Sequence, residues 1–329
     1  MIKPIVLFYE CQHLQTSTIK YLEKYFNIIS LPNPDYDTDE ILSKTNVIFA
    51  PMEYYLGQEK INSCKNLQAI ASPTTGLFHI DVDYVLKENI NICSLKNEQK
   101  YLSTITSTAE HAWGLLLAVT RRIPSAYESV CEGKWIGREF GKKTPRMISE
   151  MSLGILGLGR LGSLVAGYGK AFGMTVYYYD PYVGNDLYIT CENLNDLAKS
   201  SDIISIHVHL NAETENLIDR KFLQSIRQGS YIINTARGGI VNENALLDAL
   251  ISGHLGGAGL DMLAGEHLPG FKDKLIEHQL IKYAKQHDNL IITPKIGGCT
   301  RDAWEKTERY VVDMVIAELE KTFEHEHIA

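Results

Sequence analysis

The sequence predicts an α/β protein built from two doubly wound, parallel-sheet domains. Three observations lead there. Short β-branched runs alternate with helical stretches, the pattern of βαβ units and parallel sheets. The alternation occurs twice, on either side of a long helical segment. At 329 residues the chain also has room for roughly two domains of ~150 residues. Composition agrees, since 45% hydrophobic and 22% charged residues suit a folded core and exclude a disordered chain, a coiled coil or a collagen-like repeat. With 32 Lys and Arg against 40 Asp and Glu, the net charge of −8 is a poor match for nucleic-acid phosphates or an anionic membrane.

In the first series Ile5–Tyr9 is an apolar strand, Ser17–Phe26 a helical pattern, Asn27–Leu31 a strand and Asn46–Pro51 another. Leu67–Ser72 and Ile90–Cys93 add two strands, with a helix over Val82–Glu88 that Asp81 is placed to cap. A long helix is expected from about Ser103 to Arg122, closed by Pro124 because proline cannot continue the hydrogen-bond ladder. The second series has strands at Leu153–Leu156, Thr175–Tyr179, Ile203–Val208, Tyr231–Asn234, Gly256–Leu260 and Leu290–Thr293. A last helical pattern, Arg301–Lys321, follows when that series is complete. Boundaries fall at the long helix and near Thr293–Gly298, with the final helix free to return to the first domain. The expected division is residues 1–102 with 298–329, and residues 103–297.

The opening run Met1–Glu10 is too short for a signal-peptide apolar region, and no stretch reaches the ~18–20 apolar residues of a membrane span. Six scattered cysteines without a CxxC pair point to free thiols in a reducing cytoplasm. No metal site is expected; the Glu324–His327 tail is read as a frayed terminus.

Chemistry begins at Gly157-Leu-Gly159-Arg160-Leu161-Gly162, a GxGxxG turn between a strand and a helix. Gly157 permits the tight turn, Gly159 lets the backbone approach a pyrophosphate, and Gly162 lets helix and strand meet closely. The helix start at Arg160 and Leu161 offers unpaired N–H groups to a diphosphate. The next strand ends in Asp180, 18 residues beyond Gly162, where an acid accepts from ribose hydroxyls. Its charge would repel a 2′-phosphate, and Pro181, Tyr182 and Val183 offer no cation to hold one, so NAD is favoured over NADP. Further on, Arg237 follows a strand end and precedes two glycines, at the edge where doubly wound sheets bind ligands. Its planar fork suits a carboxylate and an adjacent carbonyl.

Together with Ser107–Ala112, Ile206–Leu210, Asn234–Gly239, Leu246–His254, Gly259–Asp261 and Thr293–Gly298, these blocks resemble the D-isomer-specific 2-hydroxyacid dehydrogenases over nearly the whole chain. The resemblance implies a Rossmann NAD-binding domain, a flavodoxin-like substrate domain and a cleft between them. It implies hydride transfer between NAD(H) and a small 2-oxo or 2-hydroxy acid, and a homodimer formed through the NAD-binding domains. By the same resemblance Arg237 binds the substrate carboxylate and carbonyl, and Glu266 orients the acid/base. Asp261 contacts the nicotinamide carboxamide, while His207, Val208, Thr214, Thr235, Ala236, Arg237, Lys295 and Gly297 line the cofactor. Thr75, Gly76 and Leu77 belong to a loop whose N–H groups hold the substrate carboxylate.

One position departs from the family. Where its members carry the acid/base histidine, this chain has Lys295. An unperturbed lysine keeps its proton to about pH 10.4, which makes it a competent donor and a poor base. Lys295 is therefore expected to act as general acid with Glu266, favouring the reductive direction. One alternative is a substrate needing no proton transfer, such as formate, or one with an extra phosphate; another is that His267, next to Glu266, takes over as the acid/base. A catalytically weak NAD(H)-responsive scaffold is a further one. His209, where the family commonly has proline, is a minor change in the cofactor wall. Glu110 and His111 are expected to serve packing rather than chemistry, and His79 to lie within a loop that borders the substrate. The side-chain pocket would come from loops near Pro51–Tyr55, Thr74–Phe78 and Lys100–Leu102.

Overall fold

The structure, a computed structural model, describes residues 3–141, 146–266, 268 and 270–326, with side chains for all of these except 139, 141 and 322–326. It divides into two units, Met1–Ile105 with Cys299–Ala329, and Thr106–Gly298. Each sheet is entirely parallel.

The first unit holds five strands, β1 (Ile5–Tyr9), β2 (Asn27–Leu31), β3 (Val47–Phe49), β4 (Ala69–Ser72) and β5 (Asn91–Ser94). Their order, β2-β1-β3-β4-β5, is the flavodoxin-like arrangement. Side chains alternate across a strand, so β1 serves two cores. Val6 and Phe8 join Val47 and Phe49 on one face; Leu7 and Tyr9 join Ile48 and Ile70 on the other. The first face is completed from the far end of the chain by Val311, Val312, Val315 and Leu319 of the helix Arg301–Glu326. That helix is therefore part of this unit's core. It extends five residues beyond the expected Lys321; side chains of the Glu324–His327 tail lie outside those described.

A buried carboxylate ties the two chain segments together. Glu308 Oε2 accepts from the Gln15 backbone N–H at 2.9 Å and from the Thr18 hydroxyl at 2.6 Å.

The second unit has seven strands: β6 (Ser152–Leu156), β7 (Thr175–Tyr179), β8 (Ile189–Thr190), β9 (Ile203–Ile206), β10 (Ser230–Asn234), β11 (Leu255–Leu260) and β12 (Leu290–Ile292). The order β12-β11-β10-β9-β6-β7-β8 places the chain's reversal between β6 and β9, the crevice where such sheets take a dinucleotide. Both faces are covered, and β6, β9 and β10 are buried along their whole length. Of the tyrosine run before Asp180, Tyr178 is buried while Tyr177 and Tyr179 are half-buried.

The expected long helix is corrected. A short turn of helix at Gln99–Leu102 is separate from the helix Ser107–Thr120, and Pro124 opens a further helix, Ile123–Cys131, rather than closing the earlier one. Proline lacks only a donor that the first helical turn leaves unpaired anyway. The break falls at Arg122, in the left-handed region at φ 53° and ion-paired with Asp288. Asp81 does cap its helix, accepting from Tyr84 N at 3.2 Å.

Burial pushes the Glu308 carboxyl above its usual range, so the folded state holds that proton more tightly than the unfolded state. The group therefore subtracts stability as pH rises through the glutamate range. Glu308→Ala should destabilise the unit by about 1–3 kcal/mol at pH 7, because the buried Thr18 hydroxyl and the partly buried Gln15 N–H lose their acceptor. Glu308→Gln keeps an acceptor without the charge, so it should melt no lower than wild type at pH 7. Thermal unfolding of both variants checks this, and a glutamine variant melting as low as the alanine one would refute it.

Candidate active site

The nucleotide side of the site is set by what cannot fit. Gly157 follows β6 at φ 89°, and a Cβ there would lie 2.8 Å from Val208 Cγ1 and 3.0 Å from His207 O. At Gly162 a Cβ would collide with the Gly157 carbonyl oxygen. Around Gly159, which starts the helix Arg160–Ala171, a Cβ meets nothing within 4 Å, so this side of the turn is open to a diphosphate. Asp180, after β7, reaches back to the same turn. Its Oδ2 accepts from Leu158 N at 2.8 Å, and its Oδ1 accepts from Tyr182 N and Val183 N at 2.9 and 3.1 Å.

Past the chain reversal, the ends of β9 and β10 supply two buried polar atoms with no hydrogen-bond partner among the described residues, His207 Nδ1 and Thr235 Oγ1. Unpaired buried groups are uncommon, and both lie where a bound dinucleotide would supply partners. His207 Nε2 is 2.8 Å from the Ser205 hydroxyl, and burial lowers the ring's pKa to about 4, so it is neutral at physiological pH. Thr214 closes the loop after β9 by donating to His209 O at 2.5 Å. These residues fit NAD.

The chemical side is organised by Asp261, at the end of β11 and 3% exposed. Its Oδ1 accepts from the Thr293 hydroxyl at 2.5 Å and Ile296 N at 2.9 Å, and its Oδ2 accepts from Gly297 N at 2.8 Å. Lys295 lies inside this bracket at φ 57°, its N–H within 3.0 Å of Asp261 O and 3.1 Å of Thr293 O. A left-handed lysine costs roughly 1–2 kcal/mol, which the surrounding bonds must offset. The side chain brings Nζ within 3.4 Å of Glu266 Oε1. Asp261, expected at the nicotinamide, thus also frames the Lys295 loop.

Arg237 leaves β10 through a turn stapled by Asn234, whose Oδ1 accepts from Ala236 N at 3.0 Å and whose Nδ2 donates to Arg237 O at 2.9 Å. Among the described residues the half-buried guanidinium donates once, to Ala236 O at 2.7 Å, and a guanidinium has five donors in all. Gly238 follows because nothing larger fits: a Cβ would collide with the backbone of Leu263 and Ala264. The turn bearing Arg237 is thereby packed against the loop bearing Glu266.

In the first unit, Thr75, Gly76 and Leu77 follow β4. Thr74 Oγ1 donates to Gly76 O at 2.8 Å, and Ser72 Oγ lies 2.9 Å from Thr74 Oγ1 and 3.1 Å from His79 Nε2. Thr75 is exposed, whereas His79 is 2% exposed, so it supports the loop from behind.

Three further residues join the site without having been expected there. His111 Nε2 lies 2.9 Å from Thr293 Oγ1 and 3.3 Å from Asp261 Oδ1. Glu243 and His278 hold the Glu266 loop, as developed below. His111 stands in the Ser107–Ala112 block, where only packing is expected of it, and no motif marks Glu243 or His278, whose partners are distant in sequence. His267 lies outside the described residues.

Residues 113–297 match the family model of the D-isomer specific 2-hydroxyacid dehydrogenase, NAD binding domain. Hydroxypyruvate reductase of Thermotoga maritima is 33% identical over 281 residues, which cover 85% of this chain and 87% of that protein. D-3-phosphoglycerate dehydrogenase of Bacillus subtilis is 31% identical over 276 residues, 81% of this chain and 48% of that protein. The chain spans about half the length of the phosphoglycerate dehydrogenases it matches. The crystal structure of D-lactate dehydrogenase from Aquifex aeolicus, complexed with NAD and lactic acid, superposes with a TM-score of 0.78 at 28% identity, covering 97% of this chain and 96% of that one. The chain belongs to the D-isomer-specific 2-hydroxyacid dehydrogenase family, and NAD is its cofactor.

Asp180 gives a direct test of cofactor choice. Its replacement by alanine removes the carboxylate that would face the adenosine ribose of a bound nucleotide. The ratio of NADH to NADPH affinity should then fall about tenfold, or ~1.4 kcal/mol. Fluorescence titration with both nucleotides measures it, and equal losses for the two would contradict this role.

Proposed function

We propose that the protein is an NAD-dependent reductase of a small 2-oxo acid, in which Arg237 binds carboxylate and carbonyl, Lys295 donates the proton and Glu266 holds Lys295. Bound NADH supplies a hydride to the carbonyl carbon. Arg237 draws electron density toward the carbonyl oxygen, and the Lys295 ammonium delivers a proton to it as the C–O bond becomes single. Lys295 is 40% exposed along its side chain, so solvent can return the proton. Glu266, 18% exposed, keeps the ammonium in place between turnovers. By the resemblance, the backbone N–H groups of Thr75–Leu77 are also proposed to bind a carboxylate. The observation that carries this reading is the 3.4 Å contact of Lys295 Nζ with Glu266 Oε1.

A homodimer through the NAD-binding domains is supported by the helix Ile123–Cys131. It exposes Ile123, Tyr127 and Val130 along one face at 52%, 71% and 52%, with Trp135 beyond it at 90%. Light scattering measures the assembly directly. All six cysteines are unpaired, which supports a reducing, cytoplasmic setting. Among the described residues no helix is long and apolar enough to cross a membrane.

The test is NADH oxidation against a panel of 2-oxo acids with aliphatic, hydroxylated and phosphorylated side chains. At least one should turn over, and Lys295→Ala should lower its kcat by about 100-fold or more with little change in NADH affinity. NADH binding without turnover of any acid would instead point to a nucleotide-responsive scaffold.

A further inference from the structure

Outside the groups assigned to chemistry, one ionisable pair bears directly on the loop that presents Glu266. Glu243 is the first residue of the helix Glu243–Ile251, whose start is fixed by Asn242 Oδ1 accepting from Ala245 N at 2.9 Å. Ala245, Leu246, Ala249 and Leu250 root that helix in the core. From this rigid base the Glu243 Oε1 accepts the Ala264 N–H at 2.8 Å, and its Oε2 lies 3.2 Å from His278 Nε2. His278 begins the helix Gln279–Ala284, and its Nδ1 is buried without a partner among the described residues. The Glu243 carboxylate can only accept, so the His278 Nε2–H is the donor between them.

Ala264 is held from two sides. Glu243 grips its N–H, and the missing side chain of Gly238 admits its backbone against the Arg237 turn. Two residues further on, Glu266 closes the same turn, its Oε2 accepting from Leu263 N at 3.3 Å while Oε1 faces Lys295. A carboxylate on such a short lever moves with Ala264. A displacement of about 1 Å at a catalytic group can cost about 100-fold in rate.

We propose that Glu243, with His278 behind it, is a positioning residue that fixes the distance between Glu266 and Lys295. It touches neither substrate nor cofactor. The inference rests on the acid/base reading of Lys295 and Glu266, and a double-mutant cycle separates the two ideas. Glu266→Gln alone should lower kcat about 100-fold, Glu243→Ala about tenfold, and the double variant no further than Glu266→Gln, because groups acting as a unit are not additive. The KM for NADH should stay within about twofold throughout, and Glu243→Gln, which keeps an oxygen for Ala264 N, should recover most of the kcat. An unaffected Glu266→Gln variant would overturn the acid/base reading. A normal loss there, with Glu243→Ala silent or fully additive, would overturn the positioning role. If Glu243→Ala does not fold, His278→Ala in the same cycle decides, with the same non-additivity expected.

Discussion

The site depends on the solvation of one carboxylate. Asp261 is almost fully enclosed, and an acid so placed has to be met by donors or its burial costs several kcal/mol. Donors arrive from Thr293, Ile296 and Gly297, all in the segment that carries Lys295. Its own N–H continues the β10–β11 pairing to Asn234 O at 2.9 Å, and Asn234 in turn shapes the exit of Arg237. Satisfying one buried carboxylate therefore sets the Lys295 segment, while the backbone of the same residue ties it to the strand that exits into Arg237. His111 closes the network from the helix Ser107–Thr120. Because the single Thr293 hydroxyl proton goes to Asp261, the imidazole Nε2 must be the donor to Thr293.

Glu266 is held by different means. Its loop is seated by steric exclusion at Gly238 and by the Glu243 carboxylate, both rooted in elements of the same unit. Lys295 and Glu266 thus approach each other from two separately supported backbones. Their 3.4 Å contact is a consequence of those supports more than of their mutual attraction, which solvent reaching the exposed Lys295 screens. A lysine in a left-handed backbone position is tolerable only where the surrounding bonds are this complete.

The strands and the glycine turn were legible because they rest on local patterns. Alternation along Ile5–Tyr9 and the spacing from Gly157 to Asp180 each report one physical requirement. Helix limits were less legible. Pro124 has the same sequence appearance whether it ends one helix or begins another, and only the left-handed Arg122 and its partner Asp288 decide. Arg237, Glu266 and Lys295 stand in motifs, but their supports do not. Glu243 beside a capping Asn242 looks like any acid at a helix start, since its partners Ala264 and His278 are 21 and 35 residues away. His79, too, gives no sign that it lies beneath its loop rather than beside the substrate.

The central claim is that Lys295, steadied by Glu266, delivers the proton. Its most direct measurement is the pH dependence of kcat for reduction of a 2-oxo acid, in the wild type and in Lys295→His. The account predicts a wild-type rate that is level from about pH 6 to 8, and a histidine variant whose rate falls above about pH 6.5, the range in which an imidazole ordinarily loses its proton. Two coincident profiles, both falling near about pH 6.5, would mean that another group supplies the proton and would contradict it.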